Sequence, residues 1–290
     1  MILAVALIGI GILSLGASID NLGPTRRMLI TEYVCLCMRV FSPFFGVVSY
    51  SRSRPKADYK KWLGPDWKPT YDGATILVSN HQSWYDVFMT FLFIRPMPGF
   101  IAKASVKGIP AIAAAATAVG TMFMDRRDKN RRSELFDLIK ERTDKCEKGE
   151  AGPLMVFPEG CSTNGNYVIQ FKKGAFANLK PVKPYISRAH CLVGNNCRGD
   201  LMGIWQWSFL IPFLNVFIWP EQLELPIFAP NDFFWNKYWD GKDEEDKWKV
   251  LANAIREVMA EYGDLKLSNS TAEDKASYKN LVWGDAFKED

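Results

Sequence analysis

Three short stretches of the chain carry side chains able to do chemistry. The first is Asn80-His81-Gln82-Ser83-Trp84-Tyr85-Asp86. It follows an apolar, β-rich run, Ala74 to Ser79, and opens a segment patterned as a helix, Ser83 to Ile94. Such strand-to-helix junctions are where α/β folds place reacting groups. Histidine is the side chain best suited to take a proton near neutral pH, and a carboxylate can hold its ring in one tautomer. A helical turn brings Asp86 back toward His81 despite the five-residue spacing. The same residues also suit an ordinary helix start, with Ser83 as the cap and Asp86 favoured by the helix dipole. On this segment alone both readings stand.

The second stretch is Phe157-Pro158-Glu159-Gly160-Cys161-Ser162-Thr163-Asn164-Gly165, followed by Phe171-Lys172-Lys173-Gly174. Flexible backbone, hydroxyl donors and nearby lysines can cradle a phosphate, although a polar loop with glycine is more often only a turn. The third is Met122-Phe123-Met124-Asp125-Arg126-Arg127. Arg126 at a strand end can grip a phosphate with both arms of its guanidinium. With Lys129, Arg131 and Arg132 it can equally form a solvated basic face.

The elements that must position these residues alternate. Strands are expected at Phe100–Ala102, Thr121–Met124, Pro153–Phe157, Val182–Ser187 and Leu223–Phe228. Helices are expected at Pro110–Val119, from Ser133 to about Lys148, and at Asp243–Tyr262 as an amphipathic surface helix. That order predicts an α/β fold, a central mixed sheet flanked by helices, preceded by a membrane-associated helical segment. Three regions follow: 1–56 as anchor and interfacial helix, 57–265 as the domain that holds the chemistry, and 266–290 as a docked or frayed tail.

The anchor rests on Met1 to Ile19, which holds no charged side chain. As a helix it would span about 28 Å, enough to cross a bilayer core. A signal peptide is the rival, but no basic residue precedes the apolar run. Met28 to Tyr50 is also apolar and has basic residues at both ends, which suits a segment lying in the membrane interface or a buried amphipathic helix. Leu201 to Trp219 is uncharged and rich in aromatics, and reads either as a membrane contact or as core. A net charge of +4 is too small to indicate nucleic acid as a partner. The six cysteines form no CxxC and no paired framework, so reduced thiols are expected. His190, Cys191 and Cys197 lack a fourth ligand at zinc-like spacing, so no metal site is expected.

Taken in order, the three stretches resemble the glycerophospholipid acyltransferase superfamily, nearest to its lysophosphatidylcholine and lysophosphatidylethanolamine acyltransferases. His81 and Asp86 match the family's His-x4-Asp block. Lys103, Pro110, Gly120, Phe123 and Arg126 match its second block, and Phe157-Pro158-Glu159-Gly160 the third. Pro181-Val182-Lys183-Pro184 matches the Pro-rich fourth. The family usually has threonine after Glu-Gly, where this chain has Cys161, a weaker donor.

The resemblance implies transfer of a fatty acyl group from acyl-CoA to the free hydroxyl of a lysophospholipid. It casts His81 and Asp86 as catalytic, and Lys103, Arg126, Glu159, Gly160, Cys161, Ser162 and Thr163 as substrate-binding. Acyl-CoA would be the co-substrate, with no further cofactor, and membrane lipid the partner. The setting would be a membrane, of the endoplasmic reticulum or the mitochondrion. Two alternatives are a glycerol-3-phosphate acyltransferase and a catalytically weak, acyltransferase-like membrane subunit.

Overall fold

The structure is a computed structural model that describes residues 24–83, 85–108, 110–124, 131–192 and 217–283. Its elements run α1 (Pro24–Phe41), β1 (Ser51–Ser53), α2 (Lys60–Leu63), β2 (Ile76–Ser79), α3 (Tyr85–Phe93), β3 (Ile101–Lys103), α4 (Pro110–Ala118), β4 (Met122–Met124) and α5 (Arg131–Glu147). They continue with β5 (Leu154–Val156), β6 (Tyr167–Val168), β7 (Val182–Cys191), β8 (Ile218–Glu224), α6 (Asp232–Tyr238), α7 (Lys247–Gly263), β9 (Lys266–Leu267) and α8 (Ala272–Trp283). The chain divides into two units, one of Met1–Ser42, Thr75–Leu77 and Val87–Val156, the other of Pro43–Ala74, Val78–Asp86 and Phe157–Asp290.

In the first unit, α1 packs on α4. Ile30, Val34 and Cys37 are buried, the four-then-three spacing of one helix face, while Met28, Leu29, Leu36 and Val40 stay exposed. Among the described residues no helix is long and apolar enough to cross a membrane. Met1–Ile19 and positions 201–216 lie outside the described residues. Strands β3 and β4 run parallel, Ala102 opposite Phe123. The apolar run Leu154-Met155-Val156 forms β5, wholly buried, and the Leu154 N–H donates to the Thr75 carbonyl at 2.9 Å. Gly99 has to be glycine: a Cβ there would stand 2.5 Å from the Gly120 carbonyl oxygen.

The second unit holds a mixed sheet. Strand β8 is parallel to β1, with Arg52 opposite Gln222, and antiparallel to β7, with Tyr185 opposite Glu224. Helix α7 covers β7 with Leu251, Ile255, Val258 and Met259 buried, a stripe at helical spacing. Tyr59, Trp62, Phe228 and Phe234 form an aromatic cluster where α2 meets α6. Asn231 caps α6 by accepting from the Phe234 N–H at 3.0 Å and donates to the Leu63 carbonyl at 2.9 Å.

One expectation is corrected here. The strand expected at Leu223–Phe228 is β8, at Ile218–Glu224; Phe228 makes only an isolated bridge to Val182. Of the two states expected for the tail, docked or frayed, residues 266–283 are docked. Strand β9 pairs with β6, and Thr271 and Asp274 close a reciprocal cap at the start of α8, with the Thr271 N–H donating to Asp274 Oδ2 at 2.7 Å and the Asp274 N–H to Thr271 Oγ1 at 3.2 Å.

Candidate active site

The site grows from the end of β2. Its Ile76-Leu77-Val78-Ser79 run is buried throughout, so the chain leaves the sheet at Asn80 under tight control. The Asn80 side chain brackets Ser187 of β7, donating from Nδ2 to its carbonyl at 2.9 Å and accepting from its N–H at 2.8 Å. Gln82 Nε2 donates to the same carbonyl at 2.8 Å. His81 lies between these two anchored side chains.

The His81 ring is fixed on two sides. Its Nδ1 lies 2.7 Å from Asp86 Oδ2, and its face stacks on Phe157 with centroids 4.4 Å apart and planes at 21°. Asp86 is buried, and the same oxygen accepts the N–H groups of Gln82 and Ser83 at 2.5 and 3.0 Å. An oxygen already accepting two amides is an acceptor toward the ring as well, so Nδ1 carries the proton and Nε2 the lone pair. Asp86 thus reaches back to the first amides of the turn and orients the histidine with the same atom. The His81 side chain keeps 22% of its surface exposed, enough to meet a substrate.

The second loop closes beneath it. Phe157-Pro158 leaves β5, and Gly160 turns the chain at φ 72°, in the left-handed region that favours glycine. The Gly160 N–H donates to the Phe157 carbonyl at 3.1 Å, and a Cβ would stand 2.7 Å from the Lys172 side chain. Glu159 is fully buried. Its carboxylate turns into the protein, accepting the His81 N–H at 2.8 Å and, more weakly, the Ile169 N–H at 3.5 Å. Burial pushes the Glu159 carboxyl up to about 7, against the lowering effect of those two amides. The Thr163 N–H donates to the His81 carbonyl at 2.7 Å, and its Oγ1 does so at 3.3 Å. The backbone of His81 is thus held at both ends by the loop Glu159–Thr163.

Of the predicted site residues, the structure gathers His81, Asp86, Glu159, Gly160, Cys161, Ser162 and Thr163 into the second unit. Lys103 lies on β3 in the first unit, and Arg126 lies outside the described residues. Lys275 is a contributor that sequence reasoning missed. From α8 its Nζ donates to the Ser162 carbonyl at 2.7 Å and to Ser162 Oγ at 3.1 Å. The signal was present, because Thr271-x-x-Asp274 is a capping pattern that announces this helix.

Residues 60–187 match the family model described as Acyltransferase. The chain is 29% identical over 219 residues to the lysophospholipid acyltransferase LPEAT1 of Arabidopsis thaliana, covering 75% of this chain and 51% of that protein. It is 26% identical over 208 residues to human lysophosphatidylcholine acyltransferase 1, covering 70% of this chain and 35% of that protein. The chain therefore spans about half the length of the plant relative and about a third of the human one. A superposition on the crystal structure of the 1-acyl-sn-glycerophosphate acyltransferase PlsC from Thermotoga maritima has a TM-score of 0.47 at 17% identity, covering 82% of each chain. The histidine–aspartate pair and the Glu159 loop both fall inside residues 60–187, the stretch that matches the acyltransferase model.

Proposed function

We propose that this protein transfers a fatty acyl group from acyl-CoA to the free hydroxyl of a lysophospholipid, with His81 as general base. The observation that carries the reading is the 2.7 Å contact of His81 Nδ1 with Asp86 Oδ2, which leaves Nε2 as a proton acceptor on a half-buried ring. The relatives, which are named as lysophospholipid and lysophosphatidylcholine acyltransferases, support the choice of acceptor.

In this reading His81 Nε2 takes the proton from the acceptor hydroxyl as its oxygen attacks the thioester carbonyl. The tetrahedral intermediate expels the coenzyme thiolate, which collects that proton from the imidazolium and leaves as a thiol. Asp86 stabilises the transient imidazolium and keeps its orientation. Glu159 acts through the backbone, locking the His81 amide. Cys161, Ser162 and Thr163, with Lys103 and Arg126 where the family resemblance puts phosphate contacts, would position the acceptor. General-base catalysis contributes about 10² to 10⁴ in rate, and positioning supplies much of the remainder. The acceptor is a membrane lipid, so the site of action in this reading is a membrane surface, and the step as written uses no cofactor beyond the co-substrate.

The test is to incubate the purified full chain with labelled oleoyl-CoA and a panel of lysophosphatidylethanolamine, lysophosphatidylcholine, lysophosphatidic acid and glycerol 3-phosphate. Label should enter diacyl phospholipid from a zwitterionic lysolipid. Label on glycerol 3-phosphate alone, or on nothing, would overturn the reading.

A further inference from the structure

Well away from His81, a second polar centre is built around Glu224, the last residue of β8. Its side chain is 1% exposed, and three cations converge on it. Arg52 Nε and Arg54 Nε donate to Oε2 at 3.0 and 2.9 Å, Arg54 Nη2 to Oε1 at 3.2 Å, and Lys183 Nζ lies 2.6 Å from Oε1. Arg52 Nη2 adds a further bond to Oε2 at 2.5 Å. Five donors on a carboxylate that offers about four lone-pair sites exceed what one anion satisfies. Asp72 lies further off, felt by Arg54 as a secondary attraction.

A cluster serving only to tie strands together has no need of more donors than its carboxylate can accept. Aromatic faces border the cluster: Arg54 lies 4.6 Å from the Tyr71 ring centroid and Lys183 5.5 Å from that of Tyr185. Lys183 is nearly buried and also donates to the Tyr71 carbonyl. The two arginines keep open surface, 33% for Arg52 and 53% for Arg54. They line an open groove of about 280 Å³ with Ser53 and Glu224. In the strand order β1 is the outermost strand of its sheet, so the groove is reached from the side.

We propose that the Arg52–Arg54–Lys183–Glu224 centre is a binding site for a phosphate group, separate from the His81 site. Glu224 orients the guanidinium forks, and the exposed arginine edges receive the phosphate oxygens in the paired geometry that guanidinium favours. The site is not the acyl-transfer centre. Ser187, the residue that anchors the His81 loop, lies four positions along β7 from Lys183, about 13 Å at about 3.3 Å per residue. The phosphate can belong to an anionic lipid headgroup or to a soluble phosphate ester, and the two are separable by experiment.

The test titrates the full chain with pyrophosphate by calorimetry. In parallel it is floated with vesicles of phosphatidylcholine alone and of phosphatidylcholine containing phosphatidic acid. Arg54→Gln, at the more exposed arginine, should weaken binding about tenfold, as loss of a charged hydrogen-bonding partner does. Lys249→Gln on α7 makes the same charge change elsewhere and should leave binding within about twofold. Arg54→Lys retains charge but loses the fork, should fall between them, and decides the matter if Arg54→Gln does not fold. Loss of pyrophosphate binding points to a soluble ester; loss confined to phosphatidic acid vesicles points to a headgroup. Equal effects of Arg54→Gln and Lys249→Gln, or no binding of either probe by the unaltered protein, would overturn the proposal.

Discussion

Glu159 and Glu224 are glutamates of the same unit, at 0% and 1% exposure, and their protonation is driven in opposite directions. Burial raises both. At Glu159 two backbone amides answer it, with a smaller attraction from His81, and the carboxyl rises to about 7. At Glu224 hydrogen bonds from Arg54, Lys183 and Arg52 overcome burial and hold it at about 2. What decides is the charge of the donors, because a buried anion is stable only when cations compensate it. The two environments match two tasks. Glu159, beside His81, is held mainly by backbone amides, whereas Glu224, which organises arginines, is locked in its ionised form.

The comparison sets opposite slopes of stability with pH. Glu224, with its folded value depressed from 4.5, adds stability that is present above 4.5 and lost as pH falls toward 2. Glu159, raised from 4.5, favours the fold at low pH and loses that advantage as pH rises toward 7. The largest effect is expected from Glu224→Gln. It leaves three cations around a neutral amide, should cost about 3–5 kcal/mol at pH 7, and should remove the rise in stability between pH 2 and 4.5. Chemical unfolding across pH measures both. A loss below about 1 kcal/mol would mean that the cations do not depend on the carboxylate.

Glu159→Gln is the matching substitution at the other centre. It keeps an acceptor for the His81 N–H and removes the ionisable group. The decline in stability between pH 4.5 and 7 should therefore flatten, a difference of a few kcal/mol by pH 8 at about 1.4 kcal/mol per pH unit. Glu159→Ala strips the acceptor and should cost roughly 1–3 kcal/mol even at pH 4.5. If Glu159→Gln keeps the wild-type slope, another group titrates there. The smallest effect is expected at Cys161, in the same loop. The Ser162 hydroxyl meets Lys275 and the Thr163 hydroxyl meets the His81 carbonyl, so a hydroxyl at 161 is the addition most able to serve the acceptor. Cys161→Thr should raise kcat/KM for the lysolipid about 3- to 30-fold with an unchanged melting temperature. A gain confined to acyl-CoA would assign the loop to the donor instead.

The β2 strand, the helix behind His81, and the strand that leads into Glu159 were legible in the sequence because each is an unbroken apolar run meeting a polar turn. Strand β8 was not. Ile218-Trp219-Pro220-Glu221-Gln222-Leu223-Glu224 contains a proline and three polar residues, so the more apolar Leu225-Pro226-Ile227-Phe228 drew the assignment. What makes the polar residues tenable in a sheet is charge supplied from elsewhere in the chain: Arg188 beside Glu221 at 3.4 Å, and Arg52, Arg54 and Lys183 around Glu224. Pairings at separations of 33 to 172 residues leave no mark in local pattern. The same holds at the site. His81 and Asp86 are readable as a motif, but the contact of Glu159 with the His81 amide, 78 residues apart, emerges only on folding.

The central claim is that His81, ring-locked by Asp86, is the proton acceptor for acyl transfer. Its most direct test is single-turnover formation of labelled phospholipid by His81→Ala beside wild type, with circular dichroism confirming an intact fold. The rate should fall by about 10² to 10⁴, with acyl-CoA affinity nearly unchanged. A folded His81→Ala protein that retains activity within a few-fold of wild type would contradict the account.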